Sequence, residues 1–222
     1  MLQYHTVEPG TLDLLKKIMV IPELSGFNLA GGTALALQIG HRKSVDLDLF
    51  GARPIDKDEI VALLESMGNL HILQHSRNIL IFNINGVKVD FVNYKYPWLH
   101  EIKQEEGIRL VGLADIGAMK LGAITGRGKK RDFTDLYFLL TQFTLPELLG
   151  FYREKYPDGN EFLVLRSLTY FDDAEEDKEL ELFEKAAWSD VKKTIEKEVK
   201  KIQILSSYNN SKLKISNIFT QS

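Results

Sequence analysis

The pattern of hydrophobic and polar residues predicts β-strands in the first part of the chain. In "SVDLDLF", Val45, Leu47 and Leu49 alternate with Asp46 and Asp48, so the two carboxylates share one face of a strand. The other segments with strand-like composition are "FNLAGG", "HILQHS", "NILIFNI" and "VKVDFVNY". Because helical segments lie between these strands, the pattern indicates a mixed sheet flanked by helices.

A tight turn is predicted at Asn85-Gly86, because this dipeptide favours the two-residue loop of a hairpin. The strand that returns from this turn places Lys88 and Asp90 on one face. The residues on either side of Asp90 are apolar, so this carboxylate stands alone in a segment that otherwise resembles a core strand.

Helical periodicity predicts one helix over residues 12–20, capped by Thr11, and another over residues 33–39 that follows a glycine pair. The segment "IDKDEIVALLESMG" begins with acids and ends with glycine, as helices do. Beyond Pro97 the pattern is helical, first in "LADIGAMKLGAITGR" and "RDFTDLYFLLTQF" and then from Pro146 onward.

The charged stretch at residues 172–205 predicts an exposed helix with oppositely charged neighbours. The alternative is that its lysine-rich end contacts a nucleic acid. The overall prediction is an α+β protein in two parts. Residues 1–97 form a mixed sheet with helices. Residues 98–222 form a helical region, of which residues 120–135 complete the active site.

Composition narrows the class of protein. Of 222 residues, 44% are hydrophobic, which is enough for a real core, and the net charge of −3 leaves nucleic-acid binding to a local basic patch. The absence of cysteine excludes disulfides, zinc–thiolate sites and a cysteine nucleophile. With no signal-peptide pattern at the N-terminus and no apolar run of about 18 residues, the sequence predicts a soluble, cytoplasmic protein that does not bind membranes.

Asp46 and Asp48 predict a metal site. Two carboxylates on one strand face repel each other unless a cation lies between them. Oxygen ligands suit Mg²⁺ or Mn²⁺, and Mg²⁺ usually keeps waters and substrate phosphates in its shell. The alternative is that this strand face is simply solvated.

Two further features favour the metal hypothesis. Gly31 and Gly32 lie at a strand-to-helix junction, where backbone N–H groups are accessible to a phosphate. Asp90 supplies a third strand carboxylate, unless its side chain faces solvent. Three strand carboxylates near a glycine turn are what two-metal phosphoryl transfer requires.

Basic residues are concentrated in one short segment of this near-neutral chain. They are Lys120, Arg127, Lys129, Lys130 and Arg131. On a continuous helix Lys120, Arg127 and Arg131 would share one face, although the nearby glycines interrupt such a helix. The segment is the best local site for a triphosphate or an RNA backbone. The alternative is a solvated basic turn held by Asp132 and Asp135.

The motifs "GGTALAL", "HRKSVDLDLF" and "KLGAITGRGKKRDFTDL", together with the Asp90 strand, resemble a known family. The chain resembles nucleotidyltransferases of the polymerase-beta-like superfamily. More narrowly, it is similar to the AbiEii/AbiGii toxin family of type IV toxin–antitoxin and abortive-infection systems. The resemblance covers roughly residues 25 to 140, and it implies a polymerase-beta-like catalytic core in residues 1–97.

The resemblance also implies roles for individual residues. It assigns the nucleotide phosphates to Gly31, Gly32, Thr33, Ser44, Lys120, Arg127 and Arg131. It assigns metal binding to Asp46, Asp48 and Asp90, with Asp90 as the base. It further requires a late acid, either Asp132 or Asp135, and it does not distinguish between them. For His41, Trp98 and Trp188 we expect structural roles.

The function implied is a Mg²⁺-dependent transfer of a nucleoside monophosphate from an NTP to an acceptor hydroxyl, with RNA or tRNA as the expected acceptor. An AbiEi-like antitoxin encoded nearby is the expected partner. Two alternatives remain open at this point. One is nucleotidyl transfer to a small molecule such as an aminoglycoside, or to a protein. The other is a non-catalytic nucleotide-binding module.

Overall fold

The structure is a computed structural model that describes the backbone of residues 1–219 and the side chains of residues 1–204. Its α-helices are α1 (Pro9–Met19), α2 (Gly31–Ile39), α3 (Lys57–Leu64), α4 (Leu113–Arg127), α5 (Lys130–Leu139), α6 (Leu145–Lys155), α7 (Glu161–Ser167), α8 (Asp172–Glu175) and α9 (Trp188–Phe219). Its strands are β1 (Asn28–Leu29), β2 (Leu47–Gly51), β3 (Leu70–His75), β4 (Ile79–Ile84), β5 (Val87–Asn93), β6 (Lys103–Glu105) and β7 (Ile108–Leu110). None of the helices within these limits is both long enough and apolar enough to cross a membrane.

The described strands form one mixed, seven-stranded sheet in the order β3-β4-β5-β2-β1-β7-β6. β2 lies at its centre, antiparallel to β1 and parallel to β5. Leu47 and Leu49 of β2 are fully buried, whereas Val45 precedes the strand and is half exposed. The predicted α+β fold, a mixed sheet with flanking helices followed by a helical region, is confirmed.

One hairpin was missed by the sequence analysis, which predicted only helices beyond Pro97. β6 and β7 pair antiparallel, and β7 joins the sheet beside β1. The turn between them has positive φ at Glu106 (52°) and Gly107 (80°). Glutamate seldom adopts this conformation, so the turn lacks the sequence signal that Asn85-Gly86 provides for the correctly predicted β4–β5 hairpin.

Two of the differences between predicted and observed helix limits change the role of a residue. α1 begins at Pro9 with Glu8 at the N-cap, and Thr11 is a buried residue inside the helix, so its predicted capping role was wrong. α4 ends at Arg127 and is followed by Gly128, which has a φ of 50° and the left-handed conformation common after helices. Arg131 therefore belongs to α5, and the single helical face proposed for Lys120, Arg127 and Arg131 does not exist.

The charged stretch at residues 172–205 is not one exposed helix. Residues 176–187, which we call the strap, connect α8 to α9 and run across residues 41–43. The backbone N–H of Phe183 donates to the His41 carbonyl (2.9 Å), and that of Lys43 donates to the Glu181 carbonyl (2.9 Å). α9 buries an apolar face that includes Val191, so it packs against the domain.

Candidate active site

The start of α2 touches the sheet at Asp48. Gly31 opens the helix with a φ of 65°, which only glycine adopts readily. A Cβ built on Gly31 would overlap the Oδ2 atom of Asp48, so any side chain would displace that carboxylate. Because the first N–H groups of a helix have no acceptor within the helix, this junction offers donors to an anion beside Asp48.

The strand carboxylates, defined here as Asp46, Asp48 and Asp90, lie along one cleft. Asp48 and Asp90 are direct register partners on parallel β2 and β5, so their side chains are neighbours. Burial, and then the nearby Asp90 carboxylate, raise the pKa of Asp48 above its ordinary value. Asp90 accepts from Lys88 Nζ at 2.6 Å, and Asp46 lies 3.4 Å from Arg131 Nη1.

A divalent cation suits this donor set. In the described part of the chain no three acidic, histidine or cysteine side chains already converge on one point as metal ligands. Lys88 and Arg131 contact the outer two carboxylates instead. Burial and the Asp90 carboxylate both disfavour the charged form of Asp48 and so raise its pKa, and a hard cation with oxygen ligands would stabilise that charged form.

Thr33 and Ser44 connect α2 to the segment before β2. The Thr33 hydroxyl donates to the backbone carbonyl of Asp46, so the 2.8 Å contact between the two hydroxyls has Ser44 as donor. Both side chains are buried, and Ser44 also lines the cleft. Thr33 therefore holds the position of Asp46 through its backbone.

The helix carboxylates, Asp132 and Asp135, belong to a separate, buried network. Asp135 accepts from Arg42 Nε at 2.6 Å and Nη2 at 2.9 Å, and its Oδ2 forms an ion pair with Lys120 Nζ at 2.5 Å. Asp132 accepts from Lys120 Nζ at 3.0 Å and from Arg127 Nε at 2.8 Å. Neither carboxylate is exposed to solvent. The network therefore holds Lys120 and Arg127 at the edge of the cleft.

The charges in this network do not cancel. Burial favours a higher pKa for Asp135, but Arg42 and Lys120 hold its pKa well below the ordinary value. Burial also favours a higher pKa for Asp132, but Lys120 and Arg127 lower it. Burial lowers the pKa of His41, which keeps the ring neutral while its Nε2 bonds to Asp135 at 2.8 Å. The network thus contains three cations (Arg42, Lys120 and Arg127) and two carboxylates. The surplus positive charge lies beside the cleft.

Two adjoining cavities meet at the site. The polar cleft, of about 210 Å³, is lined by the strand carboxylates and by basic side chains that include Arg131. The aromatic slot, of about 450 Å³, is lined by tyrosines, Phe50 and one face of α4. Both share Gly31, Asp48, Lys120 and Arg127. Of the side chains described, those of the helix carboxylates line neither cavity.

Three features of the site were missed by the sequence analysis. Arg42, in the basic triplet before the strand, is the bidentate partner of Asp135. Lys88, noted only as a neighbour on the Asp90 strand face, binds that carboxylate. The aromatic slot had a signal in "YKYPW", an unusually aromatic run directly after the Asp90 strand. His41 and Trp98 have the structural roles expected of them.

The fold of the chain is similar to that of nucleotidyltransferases of known structure. The solution structure of the antibiotic-resistance factor ANT(2'')-Ia is similar, with a TM-score of 0.51 and 15% identity over 66% of this chain and 93% of that one. The crystal structure of JHP933 from Helicobacter pylori has a TM-score of 0.50 and 20% identity over 92% of this chain and 98% of that one. At these identities the likeness concerns the fold.

The chain belongs to the family described as "Nucleotidyl transferase AbiEii toxin, Type IV TA system", whose model matches residues 13–104 and 85–208. A relative from Aquifex aeolicus (strain VF5), described as "Uncharacterized protein aq_aa25", is 35% identical over 196 residues, which is 85% of this chain and 93% of that protein. The resemblance inferred from the motifs is therefore confirmed at the level of the family.

Proposed function

We propose that the protein transfers a nucleoside monophosphate from an NTP to a hydroxyl group on RNA, with tRNA as the leading acceptor, and that it requires Mg²⁺ or Mn²⁺. The observation that carries this proposal is the contact among Gly31, Asp48 and Asp90. It places the N–H donors of a helix start beside paired strand carboxylates. Phosphate donors next to hard oxygen ligands are the parts that phosphoryl transfer needs.

The residues divide into two roles. The N-terminus of α2, together with Lys120 and Arg127, binds the triphosphate through charge-assisted hydrogen bonds. The strand carboxylates would hold the metal, which would supply positive charge opposite the phosphates. Asp90 accepts the proton of the acceptor hydroxyl once Lys88 has moved away. The acceptor oxygen then bonds to the α-phosphorus, and the bond from that phosphorus to the bridging oxygen breaks to release pyrophosphate.

The helix carboxylates act as positioning residues in this proposal. Both are buried and engaged by two or more cationic groups, so neither is available to accept a proton from substrate. Asp132 holds Lys120 and Arg127, and Asp135 holds Lys120 and Arg42. The late acidic pair of the family motif thus supports phosphate binding through the cations.

Basic residues support an RNA acceptor. Arg131 and Leu180 of the polar cleft also line a third cavity, of about 330 Å³, which includes Lys129 and Lys178. A polyanion fits this continuation of the cleft, whereas a polycationic aminoglycoside would be repelled by it. Membership of a type IV toxin–antitoxin family further supports an AbiEi-like antitoxin as the partner gene product.

A transfer assay tests the proposal. Purified protein is incubated with α-labelled NTPs, Mg²⁺, and either total RNA, an aminoglycoside or no acceptor. We expect label in RNA only, dependent on the metal and abolished by Asp48→Asn, with exposed Asp13→Asn as the matched control. Label in the aminoglycoside would identify the small-molecule alternative. NTP binding without transfer to any acceptor would identify a non-catalytic module.

A further inference from the structure

We propose that the aromatic slot binds the nucleobase of the NTP and holds it by stacking; this inference rests on the proposed function. The slot and the polar cleft share Gly31, Asp48, Lys120 and Arg127. A nucleotide whose phosphates lie at the start of α2 therefore has one adjoining apolar volume for its base. At about 450 Å³, the slot is in the usual size range for small-molecule sites.

One wall of the slot is aromatic. Phe50 meets Tyr94 edge to face with ring centroids 5.2 Å apart, and Tyr96 meets Tyr156 at 4.7 Å. The hydroxyls of Tyr94 and Tyr156 are hydrogen-bonded at 2.7 Å. Burial, the largest cause, together with nearby groups raises the pKa of Tyr156 to about 12. Its hydroxyl therefore remains protonated at neutral pH, and the wall stays uncharged.

This wall is held in place from behind. Trp98 stacks on Tyr94 at 5.2 Å, and the buried ammonium group of Lys155 lies 5.0 Å from the Tyr94 ring centre. Lys155 in turn donates to Asp115 at 2.6 Å. A surface whose rings are already ordered loses less side-chain entropy when a ligand binds. The buried Lys155–Asp115 pair, which the mechanism does not use, thus supports the binding surface.

The slot is also lined by the face of α4 that carries Gly122, Ala123 and Gly126. A Cβ built on either glycine would meet no atom within 4 Å, so the space in front of this face is open. An open volume lined by helix backbone and by aromatic rings suits a planar ring system. Because this volume is lined by Asp48 and Lys120 and not by Arg131, its occupant is the base of the NTP and not a base of the acceptor.

Stacking also predicts how the four bases are distinguished. The slot is lined mainly by apolar and tyrosine side chains, and its shared carboxylate, Asp48, faces the metal site. Every base has a π-face, so stacking tolerates all of them. We therefore expect the four NTPs to bind within about tenfold of each other, because the slot offers few directional partners to base edges.

The test compares a variant that fills the slot with a matched control elsewhere. Gly122→Leu places a side chain in the open space, and leucine favours a helix more than glycine does, so the variant should melt no lower than the wild type. Gly150→Leu is the control, because Gly150 is also a partly exposed helical glycine with ordinary contacts only. The probes are inorganic tripolyphosphate and the α,β-methylene analogues of ATP and CTP, each titrated with Mg²⁺.

We expect wild type and control to bind the analogues about tenfold or more tighter than tripolyphosphate, since stacking of one base contributes on that order. Gly122→Leu should bind tripolyphosphate normally and lose this preference. Equal affinity of the wild type for all three probes, or unchanged analogue binding in Gly122→Leu, would overturn the slot assignment alone. If the wild type bound none of the three probes, the proposed function itself would be contradicted.

Discussion

The two groups of aspartates at the site have opposite charge environments. The helix carboxylates are sealed from solvent and surrounded by an excess of cations, and their pKa values are lowered. The strand carboxylates line an open cleft, and the pKa of Asp48 is raised by burial and by Asp90. Aspartate thus stabilises the fold as a helix carboxylate, whereas as a strand carboxylate it leaves negative charge available to a cation. Removing single residues from each group tests this contrast.

The largest effect is expected for Asp48→Asn. The change removes a proposed metal ligand and keeps the shape, so nucleotidyl transfer should fall about a thousandfold, or about 4 kcal/mol. Stability should not fall, because the repulsion between Asp48 and Asp90 disappears. Transfer assays and urea denaturation of the same preparation measure the two quantities. An unfolding free energy that fell along with activity would show that Asp48 is structural, as the helix carboxylates are.

Asp135→Asn should have the reverse profile. It leaves Arg42 and Lys120 without their shared partner in a buried site, which costs about 3–5 kcal/mol of unfolding free energy. Urea denaturation measures the loss, and Asp13→Asn, on the exposed side of α1, should stay within about 0.5 kcal/mol of wild type. If Asp135→Asn unfolded at the same urea concentration as wild type, the buried network would contribute nothing.

Acid should reproduce part of that loss. The folded-state pKa of Asp135 lies below its unfolded value. The stability it contributes is therefore complete above about pH 4 and is lost as the pH falls through the folded value. On acidification below about pH 4 the wild type should lose more unfolding free energy than Asp135→Asn does, measured by denaturation across that range. Parallel pH profiles for the two proteins would contradict the assigned pKa direction.

Gly31→Ala probes the contact between α2 and the strand carboxylates. The left-handed backbone costs a non-glycine residue about 1–2 kcal/mol, and the added methyl group also overlaps Asp48. The loss of unfolding free energy should be smaller when Asp48→Ala is already present, because only the backbone strain remains. A double-mutant cycle measures this coupling, and equal losses in both backgrounds would show that the carboxylate yields without cost.

The smallest effect is expected for Lys88→Met, which removes the cation on Asp90. Lys88 is partly exposed, and such pairs contribute at most about 1 kcal/mol. The matched change in the buried network, Lys120→Met, should cost about 3 kcal/mol or more. Comparable losses of unfolding free energy in Lys88→Met and Lys120→Met would contradict the distinction between the strand carboxylates and the helix carboxylates.

Local patterns predicted much of this molecule. Strict alternation located the strand of Asp48, and the Asn85-Gly86 turn located the hairpin and with it the strand of Asp90. Strand order was not accessible, because the pairing of β2 with β5 depends on packing between distant segments rather than on either strand alone. Residue type did not reveal the burial of Asp132 and Asp135, since aspartates in a helix are usually exposed.

The aromatic slot and the β6–β7 hairpin were missed for different reasons. The hairpin turn has Glu106 at positive φ, a conformation that glutamate seldom adopts, so the sequence did not predict the turn. The slot is assembled from Phe50, Tyr94, Tyr96, Tyr156 and α4, and no single segment contains all of them. The family resemblance did not help, because its motifs concern phosphate and metal binding only.

The strap has a consequence for the order in which the protein is made. Every residue with an expected role at the site has been synthesised once Asp135 leaves the ribosome. Leu180, however, lines the polar cleft, and the strap bonds to the backbone of residues 41–43. The cleft therefore closes only when the last quarter of the chain emerges. An amino-terminal fragment that ended before the strap would contain every residue with an expected role at the site. It would still lack the part of the polar cleft that Leu180 lines.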